Sequence, residues 1–447
     1  MARIRNKKPR SDKTDSEANQ SSADNPIDLT SPEHGPEITN EEDFISLELG
    51  DPRSRQEKRF LERSKRKRED MEQSQDDPEI DDSLYPWMES MRNTCLQPNI
   101  TAHQLYEREL NCLLQYLEPT DVEVQMRRFL VHRIQKVIEK TVSKDAKVEV
   151  FGSFATNLFL PDSDIDLVVI SSKHIMLRKL GMALDVAGLC KDLKIISKAT
   201  VPVIKFEDSL TGLKVDIILD STTGIHSAEV IGDMMRAAPA LRPLTMLIKL
   251  FLASRSLNEV FTGGLGGYAI VCLVMSFLQN HPKIQSGSIV PERNLATLLL
   301  DFFQLYGFGF NMRLTGVCVE GQGSYHYKNI SVSRTGNPVF NIMDPRDRGN
   351  DIGSKSYNAM TIVRCFRAAY LTLTSNIYKK QELLDHLDRT HPSFKERVCE
   401  SSILAPTFFV LDTTAQQRRF LQSVYRLGRW KNEEAAKTFK FENYNKK

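Results

Sequence analysis

Three aspartates carry the most specific chemistry in the chain. Asp164 and Asp166 lie in Asp162-Ser163-Asp164-Ile165-Asp166-Leu167, and Asp216 lies in Leu213-Lys214-Val215-Asp216-Ile217-Ile218-Leu219. Strand side chains alternate, so Asp164 and Asp166 project from one face, about 6–7 Å apart along the backbone. Two carboxylates that close repel each other, and a divalent cation resolves the repulsion. A charge at Asp216, between Val215 and Ile217, is costly unless paired or metal-bound. Three such aspartates can hold two Mg²⁺ ions, with Mn²⁺ as a substitute, for phosphoryl or nucleotidyl transfer. One ion would activate a hydroxyl nucleophile and the other would stabilise the leaving oxygen. Upstream, Phe151-Gly152-Ser153-Phe154 closes a strand-like run. Gly152 lets the backbone approach a triphosphate, and the Ser153 hydroxyl and nearby amides can bind its oxygens. The competing reading is a surface turn with three unrelated acids. A lone Asp-x-Asp is common, but a strand, Gly-Ser, a ten-residue spacer, Asp-x-Asp and a later strand Asp form a far more specific series.

The elements that must position these residues can be read from periodicity. Helical patterns cover about 103–117 and 121–142. The second carries the apolar stripe Val124, Phe129, Val131, Ile134, Val137 and Ile138, with Asp121 as N-cap. Strand-like runs follow at 147–151, 165–170, 201–206 and 213–219, interrupted by a helical stretch over about 176–189. From 226 to about 374 the pattern is largely helical, with loops at Gly263-Gly264, around Gly307 and between Gly316 and Asp344. The reading is α/β plus α: an α/β domain near 121–225, then a helical domain.

Composition narrows the class. The 447 residues, 40% hydrophobic and 26% charged, exclude a disulfide miniprotein, a collagen-like fibre and a wholly disordered chain. The formal net charge of +2 averages two unlike parts, since acids exceed bases over the first hundred residues and bases exceed acids over the remainder. A basic body agrees with nucleic-acid binding without establishing it. Residues 1–82 are too polar to offset their ordering entropy and are expected to be a disordered acidic arm. Within it, Phe44-Ile45-Ser46-Leu47 reads as a docking motif and Lys65-Arg66-Lys67-Arg68 as a basic cluster of nuclear-import type. Seven widely spaced cysteines without a CxxC pair argue against a zinc ribbon, a zinc knuckle or a disulfide framework, and suit a reducing compartment. No signal peptide is expected, and the most apolar run, Ala269 to Leu278, is too short to span a bilayer.

The carboxylate series resembles the DNA polymerase β-like nucleotidyltransferase superfamily. The helical half narrows the resemblance to noncanonical poly(A) polymerases, through Leu257-Asn258-Glu259-Val260-Phe261-Thr262-Gly263-Gly264-Leu265-Gly266-Gly267-Tyr268, Phe302-Phe303-Gln304-Leu305-Tyr306-Gly307, Asp344-Pro345 and Gly349-Asn350-Asp351-Ile352-Gly353. It covers about 84–375 and is most similar to the nuclear polymerases of the TRAMP RNA-surveillance complexes. The resemblance implies a nucleotidyltransferase palm with a mixed β-sheet, followed by a helical central domain. The expected divisions are an arm at 1–82, an N-terminal helical segment at 83–120 packing on the central domain, the catalytic domain at 121–225, the helical PAP-associated domain at 226–376 and a basic extension at 377–447.

Carried over by position, the resemblance makes Asp164, Asp166 and Asp216 metal ligands and Gly152-Ser153 the triphosphate turn. It makes Lys249 a γ-phosphate contact and Tyr268 the aromatic on which the incoming base stacks. On pattern alone, Lys249 could equally be a snorkelling surface residue and Tyr268 a core tyrosine. Asn350 stands where related uridylyltransferases often carry His, and an amide can offer a donor and an acceptor to adenine, which favours ATP over UTP. The family usually shows Asn-Gly after the third aspartate. This chain has Thr223-Gly224, which leaves ribose and base discrimination open, with Ser227 as a candidate to compensate. The implied activity is Mg²⁺-dependent, template-independent addition of AMP from ATP to RNA 3′ ends in nuclear RNA surveillance. A terminal uridylyltransferase of the same fold and a non-catalytic scaffold of an RNA-processing complex stand as alternatives. Implied partners are a zinc-knuckle RNA-binding protein, an RNA helicase and, indirectly, the nuclear exosome, in the nucleus or nucleolus and with no membrane. The stretch Arg418-Arg419-Phe420 to Arg429-Trp430-Lys431 reads as an amphipathic helix packed on the body or, less directly, as an RNA contact.

Overall fold

A computed structural model describes residues 85–97, 99–199, 201–328 and 336–440. The arm expected over 1–82, with its apolar tetrad and basic cluster, lies outside the described residues. Helices α1 (Trp87–Asn93) and α2 (Ala102–Leu117) come first. Helix α3 (Asp121–Thr141) follows, and its N-cap is Thr120 rather than Asp121. The Thr120 hydroxyl accepts the Glu123 amide at 3.2 Å while the Glu123 carboxylate accepts the Thr120 amide at 2.7 Å. This reciprocal box satisfies two otherwise orphaned donors, which Asp121 alone would not.

Five strands form one mixed sheet: β1 (Lys147–Phe151), β2 (Ile165–Ile170), β3 (Cys190–Ile196), β4 (Val203–Asp208) and β5 (Lys214–Leu219), in the order β1-β2-β5-β4-β3. Only the central pair, β2 and β5, is parallel. Strand β3 is absent from the sequence reading. It is an edge strand bearing Lys191, Asp192 and Lys194, with a register shift between Lys191 and Lys194, so it lacks the apolar alternation of a half-buried strand. One face of the sheet presents Ile165, Leu167, Val169, Val215 and Ile217 to Phe129, Leu130, Ile134 and Ile138 of α3 and to Leu180 and Leu184 of α4 (Leu177–Val186). The period of two therefore sends Asp166 and Asp216 to the opposite face.

A second core gathers α1, α2, α5 (Thr223–Ala237), α6 (Leu241–Ala253), α7 (Gly267–Asn280), α8 (Leu295–Gln304) and α9 (Ala359–His386). Phe251 and Phe303 meet at its centre with ring centroids 4.9 Å apart. The expected loop between Gly316 and Asp344 contains a hairpin, β6 (Thr315–Cys318) and β7 (Ser324–Tyr327). Helix α9 runs through residue 376 without a break. Beyond it, α10 (Phe394–Cys399) joins the helical core, whereas α11 (Asp412–Arg426) inserts Leu421 and Val424 into the sheet's core. Arg418 of α11 donates to the buried Glu123 and to the carbonyls of Tyr116 and Glu118. The basic residue at the head of that stretch is thus spent on packing. Among the described residues no helix is long and apolar enough to cross a membrane.

Candidate active site

The sheet register assembles the carboxylates. Across the parallel pair Asp166 stands directly opposite Asp216, and across the next antiparallel pair Asp216 stands opposite Lys205. Phe151, the last residue of β1, flanks Asp166 on the other side. Asp164 precedes β2 by one residue, and one oxygen of each of Asp164, Asp166 and Asp216 lies within 4.8 Å of the other two. The Lys205 ammonium bonds the Asp216 carboxylate. Lys205 escaped the sequence reading, although its place in Val203-Ile204-Lys205-Phe206 sets it out of phase with the core-facing Ile204 and Phe206.

Gly152 turns the chain with φ +65° into a single helical turn, Gly152–Ala155, which includes the half-buried Ser153. A Cβ at residue 152 would lie 2.0 Å from Asp166 Oδ2 and 2.8 Å from its Cγ. The bare Cα first makes room for a carboxylate, a requirement that the sequence reading assigned to the triphosphate. The segment after this turn crosses to the other core, where Leu158 and Leu160 are buried. It is held there by the Lys249 ammonium on the Leu158 carbonyl and by Arg242 Nε on the Asn157 carbonyl at 3.2 Å. Arg127, wholly buried, donates to the Pro161 carbonyl at 3.0 Å and lies 4.6 Å from the Phe159 ring centroid. The loop that delivers Asp164 is therefore pinned from both cores.

The electrostatics follow from this crowding. Burial, then Asp164 and Asp216, raise the Asp166 carboxyl to about 7. Burial likewise raises Asp216, partly offset by its hydrogen bond from Lys205. Burial lowers Lys249 to about 8 against the pull of Asp164 and Asp166. Desolvation and then Asp164 raise Glu259, which the sequence reading quoted within a motif without giving it a role. Three hard oxygen donors that repel one another at this spacing fit a Mg²⁺-type ion.

A second cluster forms around Asp344. Tyr268, on the first turn of α7, donates its hydroxyl to Asp344 Oδ1 at 3.1 Å, and the Asn350 amide nitrogen donates to Oδ2 at 3.0 Å. The Asp344 backbone amide in turn donates to the Asn350 carbonyl at 3.0 Å. The two residues expected to meet the base thus share one anchor. Asp344 was visible only as half of a quoted Asp-Pro pair. Thr223 opens α5, and Ser227 donates its hydroxyl to the Thr223 carbonyl at 3.1 Å. Gly224 is required beside it, since a Cβ there would come within 2.4 Å of the Phe151 ring.

A mixed sheet bearing an aspartate triad on its open face, joined to a helical core, defines a nucleotidyltransferase palm. The chain matches two family models: the central palm domain of mitochondrial-like poly(A) RNA polymerase over residues 107–232, and the Cid1 family poly A polymerase over residues 294–350. It is 34% identical over 356 residues to Poly(A) RNA polymerase CID14 of Cryptococcus neoformans, covering 77% of this chain and 46% of that one. The solved polymerase core of TRAMP, an RNA surveillance complex, superimposes with a TM-score of 0.64 at 31% identity, covering 72% of this chain and 99% of that one. The chain belongs to the noncanonical poly(A) RNA polymerase family. It spans about half the length of the first curated relatives it matches. A Drosophila melanogaster relative, Trf4-2, 35% identical and covering 62% of this chain and 70% of its own, is named as inactive. Membership alone therefore does not carry activity, and the residues must.

Proposed function

We propose that the chain is a template-independent RNA 3′-adenylyltransferase. The 3′-hydroxyl of RNA attacks the α-phosphorus of ATP, the bond to the β-phosphate breaks, and pyrophosphate leaves. The observation that carries this reading is the intact triad, with Asp166 and Asp216 in register and Asp164 within 4.8 Å of both. Mg²⁺ ions held there, with Mn²⁺ as a substitute, would activate the hydroxyl and stabilise the leaving oxygen. Asp164 and Asp166 would ligate both ions, and Asp216 would face the RNA hydroxyl. Lys205 balances Asp216 and so lowers the cost of keeping this charge on the sheet.

Gly152 and Ser153 would line the triphosphate. Lys249 would contact the γ-phosphate with the ammonium hydrogens that its bond to the Leu158 carbonyl leaves available. Tyr268 would stack on the incoming base. Asp344 accepts a hydrogen bond from the Asn350 nitrogen, which leaves the amide oxygen free to accept from the adenine amino group. Uracil offers an oxygen rather than an amino group on its corresponding edge, so this orientation favours ATP, with Thr223 in place of the family's usual Asn at the ribose end. The similarity to the core of an RNA surveillance complex supports a role in nuclear surveillance and exosome-mediated decay. The partners proposed on that basis are a zinc-knuckle RNA-binding protein and an RNA helicase.

The test is extension of an oligoadenylate primer with each nucleoside triphosphate in Mg²⁺. Wild type should add AMP in preference to UMP, and Asp164→Ala with Asp166→Ala should add nothing while unfolding as cooperatively as wild type. Full extension by the folded double variant would sink the assignment.

A further inference from the structure

We propose that Thr414, in the segment that follows the helical core, is a positioning residue for the metal ligand Asp164. The inference rests on the adenylyltransferase reading of the triad and adds to it the contact that fixes its third carboxylate. The three are not held alike. Asp216 is bonded by Lys205, and Asp166 and Asp216 both sit within paired strands. Asp164 precedes β2, and among the described residues its carboxylate accepts no hydrogen bond. Its place is inherited from the loop before it. That loop closes on itself, with the Ser163 amide on the Leu160 carbonyl and the Leu160 amide on the Ser163 hydroxyl, both at 2.9 Å. Between them stands Asp162, two residues before the ligand. The Thr414 hydroxyl donates to Asp162 Oδ2 at 3.1 Å, and this is the one hydrogen bond of the Asp162 side chain among the described residues.

Thr414 can serve as a fixed post because both cores hold the chain on either side of it. Upstream, Asn376 donates its side-chain amide to the Ile403 carbonyl and Arg255 donates to the Thr407 carbonyl, both at 3.0 Å. Phe408 and Val410 are buried in the helical core. Only Leu411, Asp412 and Thr413 separate Val410 from Thr414. Downstream, Gln417 donates to the Thr211 carbonyl at 3.0 Å, and Leu421 and Val424 enter the sheet's core. The chain thus steps from one core to the other within four residues, and it makes that step against the metal loop. Thr414 is buried, whereas Asp162 is exposed. Water can replace the hydroxyl at an exposed carboxylate, so the bond contributes little to stability. What it removes is the freedom of the loop, and hydrogen bonds behind a metal ligand are what hold that ligand in its orientation.

The test uses the full chain and compares Thr414→Val, which keeps the shape and removes the hydroxyl, with Thr414→Ser, which keeps the hydroxyl. Mn²⁺ binding is read by electron paramagnetic resonance without nucleotide. Thr414→Val should bind Mn²⁺ roughly 10-fold more weakly than wild type, the lower end of the range for losing a group that orients a metal ligand, and Thr414→Ser should restore binding. The Mg²⁺ concentration for half-maximal primer extension should rise by a similar factor, with the rate recovering at saturating Mg²⁺ and the metal-free Tm unchanged. Asp162→Ala should reproduce the defect, and adding Thr414→Val to it should cost nothing more, because both remove one contact. Since Asp162 is exposed, that variant gives the answer even where Thr414→Val does not fold. Equal Mn²⁺ affinity in wild type and the folded variants overturns the proposal. So do additive losses in the double variant, or a lower metal-free Tm with unchanged Mn²⁺ affinity, which would make the contact a brace for α11 alone. Wild type that binds Mn²⁺ but extends no primer overturns the adenylyltransferase reading and not this one, because the metal readout needs no turnover.

Discussion

Gly152→Ala should inactivate the protein through Asp166 and not through the backbone. The left-handed conformation at φ +65° costs an alanine about 1–2 kcal/mol. The steric term is more specific. The new Cβ would lie 2.0 Å from Asp166 Oδ2, and ordinary contact begins near 3.4 Å, so the carboxylate must retreat by roughly 1.4 Å (3.4 − 2.0) or rotate out of its row. The three oxygens lie within 4.8 Å of one another, so that movement is more than a quarter of the triad's span. A misplacement of this size near the chemistry costs about 10²-fold, or about 2.7 kcal/mol of transition-state stabilisation. The control is Gly321→Ala, where φ is +63° and a Cβ would meet nothing within 4 Å. It should lose a similar 1–2 kcal/mol of stability and keep its activity. Primer extension with ATP gives the rates, and thermal unfolding with and without Mg²⁺ gives the stabilities. Wild type and Gly321→Ala should show a Mg²⁺-dependent rise in Tm that Gly152→Ala lacks. Activity within threefold of wild type in folded Gly152→Ala, or an undiminished Mg²⁺ shift, would refute the reasoning.

Four further outcomes follow from the structure. Because Asp166 titrates near 7 without metal, Mg²⁺ must displace a proton, and its apparent affinity should fall about tenfold per pH unit below 7. A carboxyl raised in the folded state contributes stability that is complete below its unfolded value and is lost as pH rises through 7. The Mg²⁺-induced rise in Tm should therefore grow between pH 6 and pH 8, and a pH-independent rise would exclude Asp166 as a ligand. Asp344→Ala removes the shared anchor of Tyr268 and Asn350 and should raise the KM for ATP about 10- to 100-fold with less effect on the primer KM, while Asn350→His should shift preference toward UTP in a four-nucleotide competition. Arg418→Ala leaves the buried Glu123 without its ionic partner and should cost about 3–5 kcal/mol, read as a lower Tm without a change in nucleotide preference.

The sequence by itself marked the candidate site and most of the elements near it. Asp164, Asp166 and Asp216 were legible because a carboxylate among β-branched residues conflicts with burial, and the conflict marks a site whatever the fold around it. Strands β1, β2, β4 and β5 and helix α3 were legible because one buried face imposes a period on each. Strand β3 and the β6–β7 hairpin were not, because an edge strand and an exposed hairpin need no apolar alternation. The cap of α3 moved from Asp121 to Thr120 because it depends on a reciprocal pair of hydrogen bonds and not on residue type alone. Tertiary structure decided the rest. The strand order, which no local pattern encodes, put Asp166 opposite Asp216 and Asp216 opposite Lys205. Tertiary packing gave Gly152 a further duty, as the space that Asp166 fills, and joined Tyr268 to Asn350 through Asp344, across more than seventy residues. Contacts between residues far apart in the chain leave no periodicity behind, so the aspartates marked a candidate metal site while only the register brought their oxygens within 4.8 Å of one another.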